Sequence, residues 1–329
     1  INDIAVMAGV SKATVSRYLN NGYVSEEKKK RISKAIEATG YVPSAQAQIL
    51  RTKKSKIIGV ILPKINSDAI SRVVAGISDM LSEKGYQLLL ANTRNNENKQ
   101  LEYLSLFQHN NVDGIILIGT ILTAEHKSLI RESCVPIVVI GQYIKECSSV
   151  YHDDYNASKD VTRVMIKNGR KHIGYIGVTL LDEAAGRNRY MGYKDAFLAF
   201  RPGEQISLDE NAMIVADFSI KDGYQKAREL LARVPDIDGL FCATDSIAIG
   251  AMEYIKEQGK KIPRDIQIVG IGDTNMSRVV TPHLTTVHLP YKTSGIEGAK
   301  LLITMIEQKN RIIREIKMGY RVILEESTR

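Results

Sequence analysis

The chain has 329 residues, 44% of them hydrophobic, with a formal net charge of +8, which allows two or three domains with real cores and excludes a disordered chain. Three widely spaced cysteines, Cys134, Cys147 and Cys242, argue against a disulfide framework and a cysteine-type metal site. The longest apolar run, residues 115–122, is too short to span a bilayer, and no secretory signal opens the sequence, so a cytoplasmic protein without membrane attachment is expected.

The charge is unevenly placed. Residues 1–56 hold 11 Lys+Arg against 4 Asp+Glu, while the other 273 residues hold 34 against 33. A small basic head on a nearly neutral body is the footprint of a polyanion-binding module.

At the start of the chain, Ile4, Ala5 and Ala8 have helical spacing. Gly9-Val10 then breaks the run, and Ser11 offers an oxygen to cap a second helix over residues 12–19. Two short helices joined by a tight turn form a helix-turn-helix, whose second helix enters the DNA major groove. Val15, Tyr18 and Leu19 share the inward face of that helix, leaving Lys12, Ala13, Ser16 and Arg17 for base edges and phosphates. An ordinary amphipathic hairpin has the same spacing. Ser25 is expected to cap a third helix whose apolar stripe is Ile32, Ala35 and Ile36 and which Gly40 ends. Residues 45–51 have the potential for one or two helical turns, marginal in isolation.

From residue 57 the pattern changes to apolar runs alternating with amphipathic stretches. Strands are expected at 57–62, 86–91, 114–118 and 136–140, with helices at 67–84, 98–110 and 124–133. A second series has strands at 173–177, 213–215, 239–243 and 266–270, with helices at 157–168, 187–200, 220–233 and 247–258. Two such series predict two doubly wound parallel-sheet subdomains, with ligand bound outside the carboxyl ends of the strands and between the halves.

No G-x-S-x-G, P-loop or H-E-x-x-H is present, and Gly270-Ile271-Gly272-Asp273-Thr274-Asn275 lacks the last glycine of a dinucleotide fingerprint. The six histidines show no ligand spacing. No catalysis, cofactor or metal is expected.

The segments Asp3-Ile4-Ala5, Ala8-Gly9-Val10-Ser11, Ala13-Thr14-Val15-Ser16-Arg17, Leu19-Asn20, Val24-Ser25 and Gly40-Tyr41-Val42-Pro43, with residues 47–50, closely resemble the head of the lactose/galactose repressor family of bacterial transcription factors. The core resembles that family's sugar-binding core, which is similar to periplasmic sugar-binding proteins. The resemblance implies an all-α helix-turn-helix head over 1–43, a hinge helix and linker over 44–56, and an α/β effector-binding and dimerisation core over 57–329. One subdomain would span about 57–151 plus 284–310, the other about 152–283 plus 311–329. Operator DNA contacts are implied for Ser11, Lys12, Ala13, Thr14, Ser16, Arg17, Asn20, Tyr41, Ala47, Gln48 and Leu50, with Leu50 wedged into the minor groove. Gln48 stands where many relatives carry Arg.

Effector contacts are implied for Gln142, Asp154, Arg187, Arg189, Thr244, Asp245 and Asp273. Asp245 can equally act as a helix cap, and Arg187 as a surface ion pair. Gly141-Gln142 and Gly272 stand where relatives often carry a sugar-binding Asp, so two carboxylates are lost while two arginines stay. Together with similarity to trehalose-operon and sucrose-operon repressors, this points to a sugar or sugar-phosphate effector, a phosphorylated disaccharide above all. The expected protein is a homodimeric repressor of a sugar-utilisation operon, without leucine heptads that join dimers into tetramers. A regulator read by a partner protein, as in catabolite control, and a sugar-binding receptor are the alternatives.

Overall fold

The computed structural model describes residues 1–20, 22–41, 54–110, 112–198, 208–309 and 312–329. Two compact units divide it, Ile1–Ser55 and Lys56–Arg329.

The first unit contains α1 (Asn2–Met7), α2 (Lys12–Leu19) and α3 (Glu26–Thr39). Gly9 takes φ +58° in the turn between α1 and α2, a conformation that a side chain strains. Ile4, Ala5, Ala8, Val15, Val24, Ile32 and Ala35 are buried together. Seven mostly small side chains make a small core, which limits its stability in isolation. Ser25 sits at the N-cap of α3 but makes no side-chain capping bond, contrary to expectation. Gly40 closes that helix in the left-handed region, at φ +60°.

The second unit holds two parallel sheets. The larger runs β11-β5-β4-β3-β1-β2, from β1 (Ile57–Leu62), β2 (Gln87–Asn92), β3 (Gly114–Ile118), β4 (Ile137–Ile140), β5 (Ser148–His152) and β11 (Glu315–Met318). The smaller runs β7-β6-β8-β9, from β6 (Ile173–Gly177), β7 (Met213–Val215), β8 (Gly239–Cys242) and β9 (Gln267–Val269). An antiparallel pair, β10 (Thr286–His288) with β12 (Arg321–Ile323), completes the strands. The helices are α4 (Asp68–Glu83), α5 (Glu97–His109), α6 (Ala124–Arg131), α7 (Asp154–Lys167), α8 (Arg189–Phe197), α9 (Ile220–Arg233), α10 (Asp245–Glu257) and α11 (Tyr291–Gln308).

Every residue of β3, β4, β6 and β8 is buried, as strands covered on both faces must be, and their apolar runs are what made them readable. In each half helices cross at glycines. A Cβ on Gly76 of α4 would lie 2.0 Å from the Lys292 carbonyl of α11, and one on Gly295 would lie 2.1 Å from that of Val73. In the other half, a Cβ on Gly250 of α10 would lie 2.0 Å from the Ile220 carbonyl of α9. These crossings bring helix backbones together and leave no room for a methyl group.

Three segments cross between the halves: Asp153, between β5 and α7; Leu289-Pro290, between β10 and α11; and Gly319-Tyr320, between β11 and β12. Two boundaries differ from expectation. Residues 284–289 do not return to the first half: Leu284, Val287 and Leu289 are buried in the core of the second, and β10 pairs with β12 there. Residues 315–318 do not join the second half but pair in parallel with β5 of the first, Glu315 opposite Ser149 and Met318 opposite His152. The chain reaches the second half only at β12, after which Ile268 donates its N–H to the Ser327 carbonyl at 3.2 Å.

Candidate functional site

In the head, Ser11 caps α2: its Oγ accepts from the Thr14 N–H at 3.2 Å and lies 2.9 Å from Thr14 Oγ1. Val15 is fully buried, while Lys12, Ala13 and Arg17 are exposed and Thr14 and Ser16 half-buried. Asn20 donates from Nδ2 to the Ser16 carbonyl, and Tyr41 packs against the head's core. The outer face of α2 is therefore small, polar and basic, which suits base edges and phosphates. Ala47, Gln48, Leu50 and the expected hinge helix lie outside the described residues.

In the core, a cavity of about 360 Å³ lies between the two sheets, at the small end of the range for ligand pockets, roughly 300–1,000 Å³. Its walls include Pro63 after β1, Thr120 after β3, Gly141 after β4, His152 at the end of β5, Thr244 after β8 and Gly272 after β9. These are carboxyl ends of strands in both sheets, where open α/β sheets place their ligands.

Arg189 is the hub of this cleft. It opens α8 and is 5% exposed. Its Nε and Nη2 both lie 2.7 Å from Asp154 Oδ1, and Nη1 donates to the Ala243 carbonyl. Burial, the largest single influence, opposes its charge, but Asp154 and Tyr291 together outweigh it and hold the guanidinium protonated. Asp154 lines the cleft as the first residue of α7, which Asp153 caps by accepting from the Asn156 N–H at 3.3 Å. Asp153 also pairs with Lys317 at 3.0 Å.

Thr244 caps α10 through the Ile247 N–H at 3.3 Å, so the capping role belongs to Thr244 and not to Asp245. The Asp245 carboxylate lines the cleft but is occupied by the protein, accepting from the Thr274 N–H at 2.8 Å and from Thr286 Oγ1. Burial raises its pKa.

Three expected contacts lie off the cavity wall. Arg187 is exposed and pairs with Glu183 at 3.1 Å. It belongs to a π-helical turn, Glu183–Asn188, that precedes α8 where a continuous helix was expected. Asp273 accepts from Arg278 Nη2 at 2.9 Å and lies 2.8 Å from His288 Nδ1. Gln142 is buried behind the wall, where its Nε2 donates to the Thr120 carbonyl and to Asp182 Oδ1, the latter at 3.1 Å.

Asp182 was not anticipated, although an Asp before a helical run is a recognisable N-cap signal. It caps the π-helical turn, accepting from Ala184 and Ala185 N–H at 3.0 and 2.9 Å. Burial pushes its pKa up to about 6, against the pull of the Ala185 N–H, Arg189 and Gln142. His152, Tyr291, Asp68 and Lys64 also line the cleft unforeseen. The ionisable groups on the wall are then four carboxylates, Asp68, Asp154, Asp182 and Asp245, two cations, Lys64 and Arg189, and the side chains of His152 and Tyr291. The two arginines expected to face an anion do not both face the cavity, and the one that does is spent on Asp154.

Residues 1–44 match the model of bacterial regulatory proteins of the lacI family, and residues 162–328 match that of a periplasmic binding protein-like domain. The chain is 32% identical to the sucrose operon repressor of Staphylococcus xylosus, over 97% of its own length and 98% of that protein's. The chain belongs to the lacI family. It is also 33% identical to the ribose operon repressor of Bacillus subtilis, over 100% of its own length and 98% of the other's. A solved complex of the transcriptional regulator CelR with cellobiose superposes with a TM-score of 0.76 at 26% identity, covering 99% of this chain and 98% of that one. As a lacI-family member the chain is a DNA-binding transcriptional regulator with a periplasmic-binding-protein-like core. No described helix is long and apolar enough to cross a membrane.

Proposed function

We propose that this lacI-family regulator is a cytoplasmic, homodimeric repressor whose α2 reads operator DNA and whose core cleft takes a neutral, hydroxyl-rich small molecule, a sugar. The observation that carries the effector reading is that the arginines at the cleft are already committed, Arg189 to Asp154 and Arg72 to Asp68, on a wall that carries four carboxylates. A carboxylate only accepts hydrogen bonds. The protein already engages all four, Asp68 through Arg72, Asp154 through Arg189, Asp182 through Ala184, Ala185 and Gln142, and Asp245 through Thr274 and Thr286, so any ligand groups placed beside them must be donors. Sugar hydroxyls supply them, and a dianionic phosphate does not. A phosphorylated disaccharide would bring about two negative charges into a wall already rich in carboxylates, a repulsion that low local dielectric strengthens.

The relatives' names point the same way, to sucrose and ribose, and the CelR complex holds cellobiose. Lys12, Ala13, Ser16 and Arg17 are the α2 residues assigned to the DNA. Thr14, whose hydroxyl already pairs with Ser11, helps to hold the turn.

The test is selection of binding sites from a random duplex pool with the full chain, followed by anisotropy on the selected duplex. Ribose, sucrose, cellobiose and their phosphate esters are then added in turn. The expected result is a two-fold symmetric site whose affinity shifts at least fivefold, in either direction, with a free sugar. No enriched site, or no shift with any free sugar, contradicts the reading.

A further inference from the structure

His152 ends β5 on the cleft wall and is 5% exposed. Its ring stands edge-on to Tyr291, with 5.1 Å between centroids and 74° between planes. The Pro290 backbone, at the crossing from β10 to α11, favours a protonated imidazole nitrogen. A carbonyl only accepts, so a ring proton directed at Pro290 leaves the other nitrogen bare. The other nitrogen, Nε2, is buried with no partner in the protein, so in the neutral ring it is a bare acceptor.

An unpaired acceptor in a wall forfeits about as much as a hydrogen bond returns, and a native structure keeps one where something else satisfies it. Burial, with Arg189 alongside, holds the imidazole down to about 4 in spite of Asp154, so the ring stays neutral at physiological pH and Nε2 does not turn into a donor. His126 also has an unpartnered Nε2, but it lies off the cleft, beneath the capping box of α6.

We propose that His152 is a specificity-determining residue of the cleft: Nε2 accepts a hydrogen bond from one hydroxyl of the bound molecule. The cleft then selects ligands that present O–H at that point and rejects those that present only acceptors there, a fully ionised phosphate among them. Carboxylates of Asp154 and Asp182 on the same wall set the same requirement. This inference rests on the reading of the cleft as a sugar site.

Calorimetry on the full chain tests it. Ribose, sucrose and cellobiose are titrated first, and the tightest is then compared with its monodeoxy and mono-O-methyl analogues, in the unmodified protein and in His152→Phe. Phenylalanine keeps the ring against Tyr291 and removes the acceptor. The expected result is one hydroxyl position where both analogues bind the unmodified protein roughly two- to tenfold more weakly, whereas His152→Phe does not distinguish them from the parent sugar. The sugar-free melting temperature of His152→Phe should not fall.

Equal affinity of the two proteins for the parent sugar overturns the proposal, as does an analogue penalty of the same size in both. If His152→Phe does not fold, His152→Gln, whose amide oxygen is an acceptor, should keep the analogue penalty, and losing it overturns the proposal. If none of the three sugars binds the unmodified protein, the sugar-site reading fails and this inference with it. If they bind and His152→Phe changes nothing, only the role of His152 fails.

Discussion

Arg72 on α4 donates from Nη2 to the carbonyl oxygen of Gly272, 2.7 Å away and 200 residues further along the chain. The bond joins the first half of the core to the second. The same guanidinium pairs with Asp68 at 2.7 Å and lies over the Tyr291 ring at 5.2 Å. On another side of the cleft, Gln142 reaches Asp182 and joins the halves a second time. In the sequence, Gly272 stands where relatives often carry a carboxylate. Its carbonyl instead serves a guanidinium from the opposite half.

The Arg72 side chain is 29% exposed, so its bond to Gly272 contributes roughly 1 kcal/mol after solvent screening. Arg72→Met should weaken sugar binding about fivefold and enlarge the radius of gyration of the sugar-free protein in solution scattering. Lysine is a point charge without the fork, so Arg72→Lys should restore little. Unchanged affinity and size in both variants would show that the contact does not hold the halves together.

Breaking the Arg189–Asp154 pair from one side leaves a buried carboxylate without its partner. Arg189→Met should lower the melting temperature by on the order of 10 °C, from a loss of about 3–5 kcal/mol. The double variant Arg189→Met with Asp154→Asn removes both charges and should recover a good part of that loss. A double variant no more stable than the single one would locate the damage in the packing of the guanidinium rather than in its charge.

Two cleft groups have opposite pH dependences in one window. Asp182 is raised from 3.8 to about 6 in the folded chain, so the folded state binds more protons and Asp182 takes away stability as pH rises from about 4 to 6. His152 is lowered from 6.5 to about 4, so the folded state binds fewer protons and stability is lost as pH falls from about 6.5 to 4. The two slopes largely cancel. Asp182→Asn should therefore steepen the rise of stability with pH between 4 and 6, by on the order of 2–3 kcal/mol relative to the unmodified protein, and His152→Phe should give the opposite slope. Urea midpoints at pH 4.5, 5.5 and 6.5 measure both, and parallel curves for all three proteins would refute the pairing.

In the head, exposed Lys12 and Arg17 on α2 are the cations best placed for phosphate or base contact. Each changed to Ala should reduce the slope of log binding constant against log salt by about 1. A slope unchanged in both variants would remove α2 from the DNA interface.

The alternation of strand and helix was legible because parallel strands buried on both faces read as apolar runs, as in residues 114–118 and 137–140. β5 was not, since it opens with Ser148 and Ser149, both buried. Ser148 Oγ accepts from the Arg314 N–H at 3.1 Å, which only tertiary structure reveals. Missing β5 also hid His152, which stands at the carboxyl end of a strand, where ligand contacts are expected. Arg187 was misplaced for a different reason. Helical residues two apart point to roughly opposite sides, so with Arg189 turned into the cleft Arg187 turns out to Glu183. The charge of the cleft was unreadable from the arginines alone, because Asp182 and Asp68 reach it from loops and helix ends far apart in sequence.

The most direct test of the account is calorimetry on the full chain with matched pairs, ribose against ribose 5-phosphate and sucrose against sucrose 6-phosphate, at pH 7.5 and constant ionic strength. The carboxylate-rich cleft predicts that in at least one pair the free sugar binds tenfold or more tighter than its phosphate, and that neither phosphate binds tighter than its free sugar. A phosphate ester that binds more tightly than its free sugar, or equal affinities within both pairs, would contradict it.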